Sequence, residues 1–145
     1  MKKLFLSLLF AMFAVMPILA DNDAVITKEE LPEKSQIFLT RHFDAIDILY
    51  VKAEREMGVV TSYDVTLEGN VKVEFNRSGE WLSVDCEHGQ VPESIIPRPI
   101  LEYVTRRFSK AYVAEIERNL FGYEVKLNND LELDFDKNGE FVRVD

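Results

Sequence analysis

Val71, Val73 and Phe75 alternate with Lys72 and Glu74, and sixty positions later Leu131, Leu133 and Phe135 alternate with Glu132 and Asp134. Alternation with period two marks strands with one buried face and one open face. Ahead of each such stretch the apolar spacing is helical. Leu39 and Phe43 stand four apart and are joined by Phe38, while Ile96, Ile100, Val104 and Phe108 repeat the same step. Pro32 suits a helix start. Pro97 and Pro99 do not fit inside one helix, so the second helix is expected to open with a short turn, break, and run on from about Pro99. Four strands should follow each helix, at 48–55, 61–67, 71–76 and 80–85, then at 112–118, 121–127, 131–136 and 140–144.

The two halves also match residue for residue. "SYDVTLEGNVKVEFNRSGEWLSVD" lies against "GYEVKLNNDLELDFDKNGEFVRVD", pairing Tyr63 with Tyr123, Phe75 with Phe135, Gly79 with Gly139 and Asp85 with Asp145. Pro32 aligns with Pro92 in the same scheme. Short connections such as "NRSGE" and "DKNGE" join neighbouring strands and imply antiparallel meanders. The expected fold is α+β, with two tandem helix-plus-four-stranded antiparallel meander repeats forming one sheet and helices packed on one face. Repeat one spans residues 31–86 and repeat two 91–145, joined by a linker at 87–90 and preceded by an N-terminal segment at 21–30.

Residues 1–20 read differently. Lys2 and Lys3 precede an apolar run from Leu4 to Ala20, which Asp21 ends, and this is the pattern of a cleaved secretory signal peptide. The protein is therefore expected to be periplasmic or secreted, without stable membrane insertion after cleavage. The chain carries 17 basic and 26 acidic side chains, a net charge of −9, and cleavage would remove two lysines and no acid. Nucleic acid is excluded as a partner, because its binding relies on clustered Lys and Arg. With 1 cysteine, Cys86, no internal disulfide can form, so packing must hold the fold.

The last twelve residues, "DFDKNGEFVRVD", approach a calcium-loop pattern with Asp134, Asp136, Asn138, Gly139 and Asp145. Three features favour a β-hairpin. The flanks alternate with period two, position twelve is Asp145 and not glutamate, and the first half reads Glu74, Asn76, Ser78, Gly79 and Asp85, keeping the glycine while losing acids. No metal or cofactor is expected.

Reactive groups are sparse, with 2 histidines and no nucleophile elbow or glycine-rich phosphate loop, so no catalytic residue is assigned. Glu54 and Glu117 recur at equivalent strand ends and read as solvated strand residues. By alternation the face turned from the helices carries Tyr50, Lys72, Glu74 and Arg143, together with two large aromatics, Trp81 and Phe141. Those aromatics are either anchors of a protein interface or cover folded over a hairpin mouth; a register shift of one residue would exchange their face. The expected partner is a protein or peptide of unknown identity, bound across the open sheet. The alternative is an extracytoplasmic sensor of a small ligand or calcium.

"LPEKSQIFLTRHF", "VPESIIP", "IERNLFGYEVKL" and the Gly-Glu-Trp hairpin resemble the PepSY-like family of β-lactamase-inhibitor-like proteins over nearly all of residues 27–145. The resemblance implies an exported bacterial protein whose helix-plus-four-strand units are like those of the β-lactamase inhibitory protein, which grips an enzyme with its sheet. It also implies restraint of a secreted or surface enzyme, and it transfers no defined site residues.

Overall fold

The computed structural model describes residues 23–145; the signal-peptide reading of residues 1–20 lies outside them. Nine strands form one antiparallel sheet in chain order: β1 (Ala24–Ile26), β2 (Ile48–Glu56), β3 (Val59–Leu67), β4 (Val71–Asn76), β5 (Trp81–Asp85), β6 (Val113–Arg118), β7 (Gly122–Leu127), β8 (Glu132–Asp136) and β9 (Phe141–Val144). Helix α1 (Glu33–Phe43) precedes β2, and α2 (Arg98–Arg107) lies between β5 and β6. The α+β class and the single antiparallel sheet are as expected. β1 is an addition that the alternation does not predict, since its three residues sit in the polar segment 21–30 and owe their strand to pairing with β2 through Val25↔Lys52 and Ile26↔Val51.

The register lays one apolar row across the whole sheet: Ile26, Val51, Val65, Val73, Val84, Ile116, Val125, Leu133 and Val144. Most of this row is fully buried. Burying each such side chain contributes about 1.5–3 kcal/mol, so the row forms the spine of the core. Phe75 and Phe135 stand two residues beyond Val73 and Leu133 and therefore share its face. Phe38 of α1 meets Phe75 edge-on with ring centroids 5.5 Å apart, and Tyr103 of α2 meets Phe135 in the same way at 5.5 Å. Both helices thus cover one face of the sheet.

Each helix start is seated on a hairpin turn. Gly79 (φ +89°) in the β4–β5 turn lies so close to α1 that an added Cβ would be 2.6 Å from Pro32 Cβ, and the buried Ser35 Oγ donates a hydrogen bond of 3.0 Å to Gly79 O. Gly139 (φ +78°) in the β8–β9 turn stands against Pro99. Left-handed backbone in both turns, with a clash at Gly79 and a tight contact at Gly139, explains why glycine recurs in both. In the second half the proline that meets the turn glycine is Pro99, in the first turn of α2.

The tail resolves as the β8–β9 hairpin. Asp136 Oδ1 accepts hydrogen bonds from the backbone N–H of Asn138 and Glu140, both at 2.9 Å, so that carboxylate closes a turn. Asn76 does the same for Ser78 and Glu80.

Candidate functional site: the open face of the sheet

Among the described residues no helix covers the second face of the sheet, and the register defines its composition. One row reads Lys52, Asp64, Glu74, Ser83, Glu117, Glu124, Asp134 and Arg143 from β2 to β9. The neighbouring row includes Tyr50, Thr66, Lys72, Asp85, Glu115, Lys126 and Glu132. Of the residues expected here, Tyr50, Lys72, Glu74 and Arg143 are in place. Asp64 faces Glu74, Glu117 faces Glu124, and Glu124 faces Asp134. Like charges directly opposite on paired strands destabilise a sheet, so packing alone does not account for this row.

Trp81 and Phe141 are elsewhere, which corrects the expectation from alternation. Phe75 pairs with Trp81 and Glu74 with Ser83, so Leu82 is a bulge; Phe135 pairs with Phe141 and Asp134 with Arg143, so Val142 is another. An extra residue reverses the facing of everything before it. Trp81 therefore stands on the helix side, stacked on Phe38 at 6.2 Å, with the Arg118 guanidinium 4.8 Å from its ring centroid. Phe141 stacks on Tyr103 at 4.6 Å with an interplanar angle of 10°. Both rings act as cover at the hairpin mouths.

Partial burial first, and the charges of neighbouring acids second, raise the carboxylates of the open face. Partial burial, a hydrogen bond to Glu54 and the charges of Glu54 and Glu74 push Asp64 up to about 7. Burial and the charges of Glu54 and Glu117 raise Glu74, and burial with surrounding acids raises Glu115 and Glu124. Asp64, Glu74, Tyr50 and Lys72 border a depression of about 330 Å³. The charges of Glu54 on β2 and of Glu117 on β6 both reach Glu74 on β4.

A pH dependence follows. Asp64 binds its proton more tightly folded than unfolded, so its contribution to stability is full below pH 3.8 and is lost as pH rises to about 7. After allowance for its solvent-facing part the effect is about 1–2 kcal/mol. His42, lowered by burial and by Arg41, acts in the opposite sense. The diagnostic is therefore the difference between variants: the stability of Asp64→Asn, followed by urea unfolding from about pH 4 to pH 8, should fall less with pH than that of wild type. Parallel profiles would refute the assignment.

At the β9 end, Glu124, Asp134 and Asp145 bring carboxylate oxygens within 4.8 Å of one another. Arg143 lies between two of them, 2.9 Å from Asp134 and 2.9 Å from Asp145. Cys86 is buried, and its surroundings raise the thiol to about 11, which makes it a packing residue with little thiolate character.

Alternation directs attention away from the hairpin tips. Met57 is 83 % exposed between β2 and β3, and Leu120 and Phe121 are 82 % and 86 % exposed between β6 and β7. Apolar residues inside "EREMGVV" and "IERNLFGY" were the available signal. Phe121 borders a second depression of about 340 Å³ with Glu124, Asp134 and Arg143.

Comparison with known proteins gives a consistent result. A family model described as "Putative beta-lactamase-inhibitor-like, PepSY-like" matches residues 61–143. A "putative calcium-regulated periplasmic protein" from Bacteroides thetaiotaomicron is similar in structure, with TM-score 0.81, 38 % identity, and coverage of 85 % of this chain and 96 % of that one. A "putative periplasmic protein of unknown function" from Bacteroides vulgatus has TM-score 0.79 and 37 % identity over 86 % of this chain and 99 % of its own. A second putative periplasmic protein from Bacteroides vulgatus has TM-score 0.80 and 34 % identity over 87 % and 98 %. No curated protein matches the chain. Among the described residues no helix is long and apolar enough to cross a membrane.

Proposed function

This chain belongs to the PepSY-like, β-lactamase-inhibitor-like family, and from that premise we propose that it is a noncatalytic extracytoplasmic domain that binds a protein or peptide across the open face of its sheet. The observation that carries this reading is the row of like-charged carboxylates held opposite one another on an uncovered face. A row that costs stability and covers nothing is where function overrides packing. Its sign specifies a partner with a basic surface, steered by charge and fixed by close contact. The exposed tips at Met57, Leu120 and Phe121 supply apolar contact at the margin. Restraint of a secreted or surface enzyme fits this mode, since the enzyme would be gripped from outside without chemistry.

A second reading, a calcium sensor, is favoured by the converging carboxylates of Glu124, Asp134 and Asp145 and by the calcium-regulated description of one similar protein. One experiment separates the two. The protein is immobilised and partners are captured from the native envelope and secreted fraction, in low and high salt, with calcium and with chelator. The binding reading expects recovery of one basic protein, lost in high salt and lost in Glu74→Lys/Glu117→Lys. Recovery indifferent to salt and to the charge reversals would sink it. A melting temperature that rises with calcium, together with an empty capture, would support the sensor.

A further inference from the structure

Strand β9 stands to β8 as β5 stands to β4: Val73↔Val84 matches Leu133↔Val144, Glu74↔Ser83 matches Asp134↔Arg143, and each pair of strands carries the same bulge. On its other side β5 holds β6 through Ser83↔Glu117, Val84↔Ile116 and Asp85↔Glu115. Cys86 N–H donates to Ala114 O at 2.9 Å along that seam. Asp145 N–H donates to Glu132 O at 2.9 Å. Antiparallel alternation then turns the N–H and C=O of Val144 away from β8, as those of Val84 turn toward β6. Among the described residues β9 ends the sheet, and Phe141, Val142 and Val144 are 37 %, 55 % and 49 % exposed. Bulges and short length often protect an edge. They do not close this one, because β5 bears the same bulge and is paired.

We propose that β9 receives an extended segment of a partner polypeptide as a tenth antiparallel strand, in the place that β6 takes on β5. This site is the backbone edge of β9; it shares the side chains of Arg143 and Asp145 with the end of the open face but does not use the carboxylates of β3 to β7. Its side chains define the donor: an aliphatic residue opposite Val144, an acid opposite Arg143 and a base opposite Asp145. Backbone hydrogen bonds supply the attraction and these three positions the selectivity. The protein's own β6 shows the pattern in part, with Ile116 and Glu117 suitable and Glu115 of the wrong sign.

The probe is a synthetic peptide of residues 112–119 carrying Glu115→Lys, titrated into the isotope-labelled protein and followed by NMR. Saturable shifts at the β9 amides and slowed hydrogen exchange at Val144 are expected. N-methylation at Ile116, whose N–H would face β9, should weaken binding about tenfold; N-methylation at Glu117, whose N–H would face away, should not. Val144→Pro should fold, because that N–H does not bond β8, and should lose the peptide. Glu74→Lys, which tests the open face, should retain it, so the two readings fail separately. Absence of saturable shifts at β9, or indifference to methylation at Ile116, would overturn the proposal. So would a peptide-free dimer that Val144→Pro dissolves, because it would assign the edge to a second copy.

Discussion

Gly122→Ala is expected to destabilise the protein by more than about 4 kcal/mol, enough to abolish cooperative folding in a domain of ordinary stability. Gly122 opens β7 at φ +147°, and an added Cβ would sit 2.1 Å from Phe135 O and 2.5 Å from Asp136 C. Those are backbone atoms of β8 and cannot rotate aside. Relief would require β7 and β8 to separate at Gly122↔Asp136, next to the buried Phe135. The turn before it cannot shift freely either, since Asn119 Oδ1 accepts from Phe121 N–H at 2.8 Å and Gly122 N–H at 3.1 Å. Chemical denaturation checks this against Gly58→Ala, which shares a positive φ (+79°) but whose added Cβ meets nothing within 4 Å, so that only backbone strain of about 1 kcal/mol is expected there. A small change at Gly122 would mean that β7 and β8 are not packed as described.

Trp81→Ala should lower stability by about 2–3 kcal/mol, less than the 3–5 kcal/mol typical of a fully buried aromatic because Trp81 is only half-buried. Its ring closes the gap between Phe38 and Tyr123, at 6.2 Å and 6.5 Å, and lies under Arg118, which also donates to Trp81 O at 2.8 Å. Phe141→Ala should cost about 1 kcal/mol, since Phe141 is 37 % exposed and its main contact is the Tyr103 stack. Urea midpoints for the two variants give the order directly. Had these aromatics been anchors on the open face, neither substitution would move the midpoint appreciably, and both would weaken partner capture.

The fate of these two aromatics shows how far the chain could be read in advance. Strands β2 to β9 fall within two residues of their expected limits, because period-two alternation is a local property. Lys72 and Glu74 were placed on the open face by the same rule, and the register keeps them there. Trp81 and Phe141 broke it because a bulge adds one residue to a pairing, and neither Leu82 nor Val142 differs locally from a regular strand residue. β1 was missed for a related reason: three residues with no alternation of their own become a strand only when β2 offers its edge.

By itself the sequence determined the helices, the strands, their antiparallel order and which face of each strand is apolar, since all of these arise from interactions within a few residues or between chain neighbours. Tertiary structure alone decided which residues stand opposite one another. That pairing set Asp64 against Glu74 and Glu124 against Asp134, turned Trp81 toward α1, brought Glu124, Asp134 and Asp145 together, and made β9 the edge of the sheet among the described residues. Register carries this information because a shift of one residue exchanges the faces of a strand, and only the packing of the whole sheet against its helices selects one register from the next.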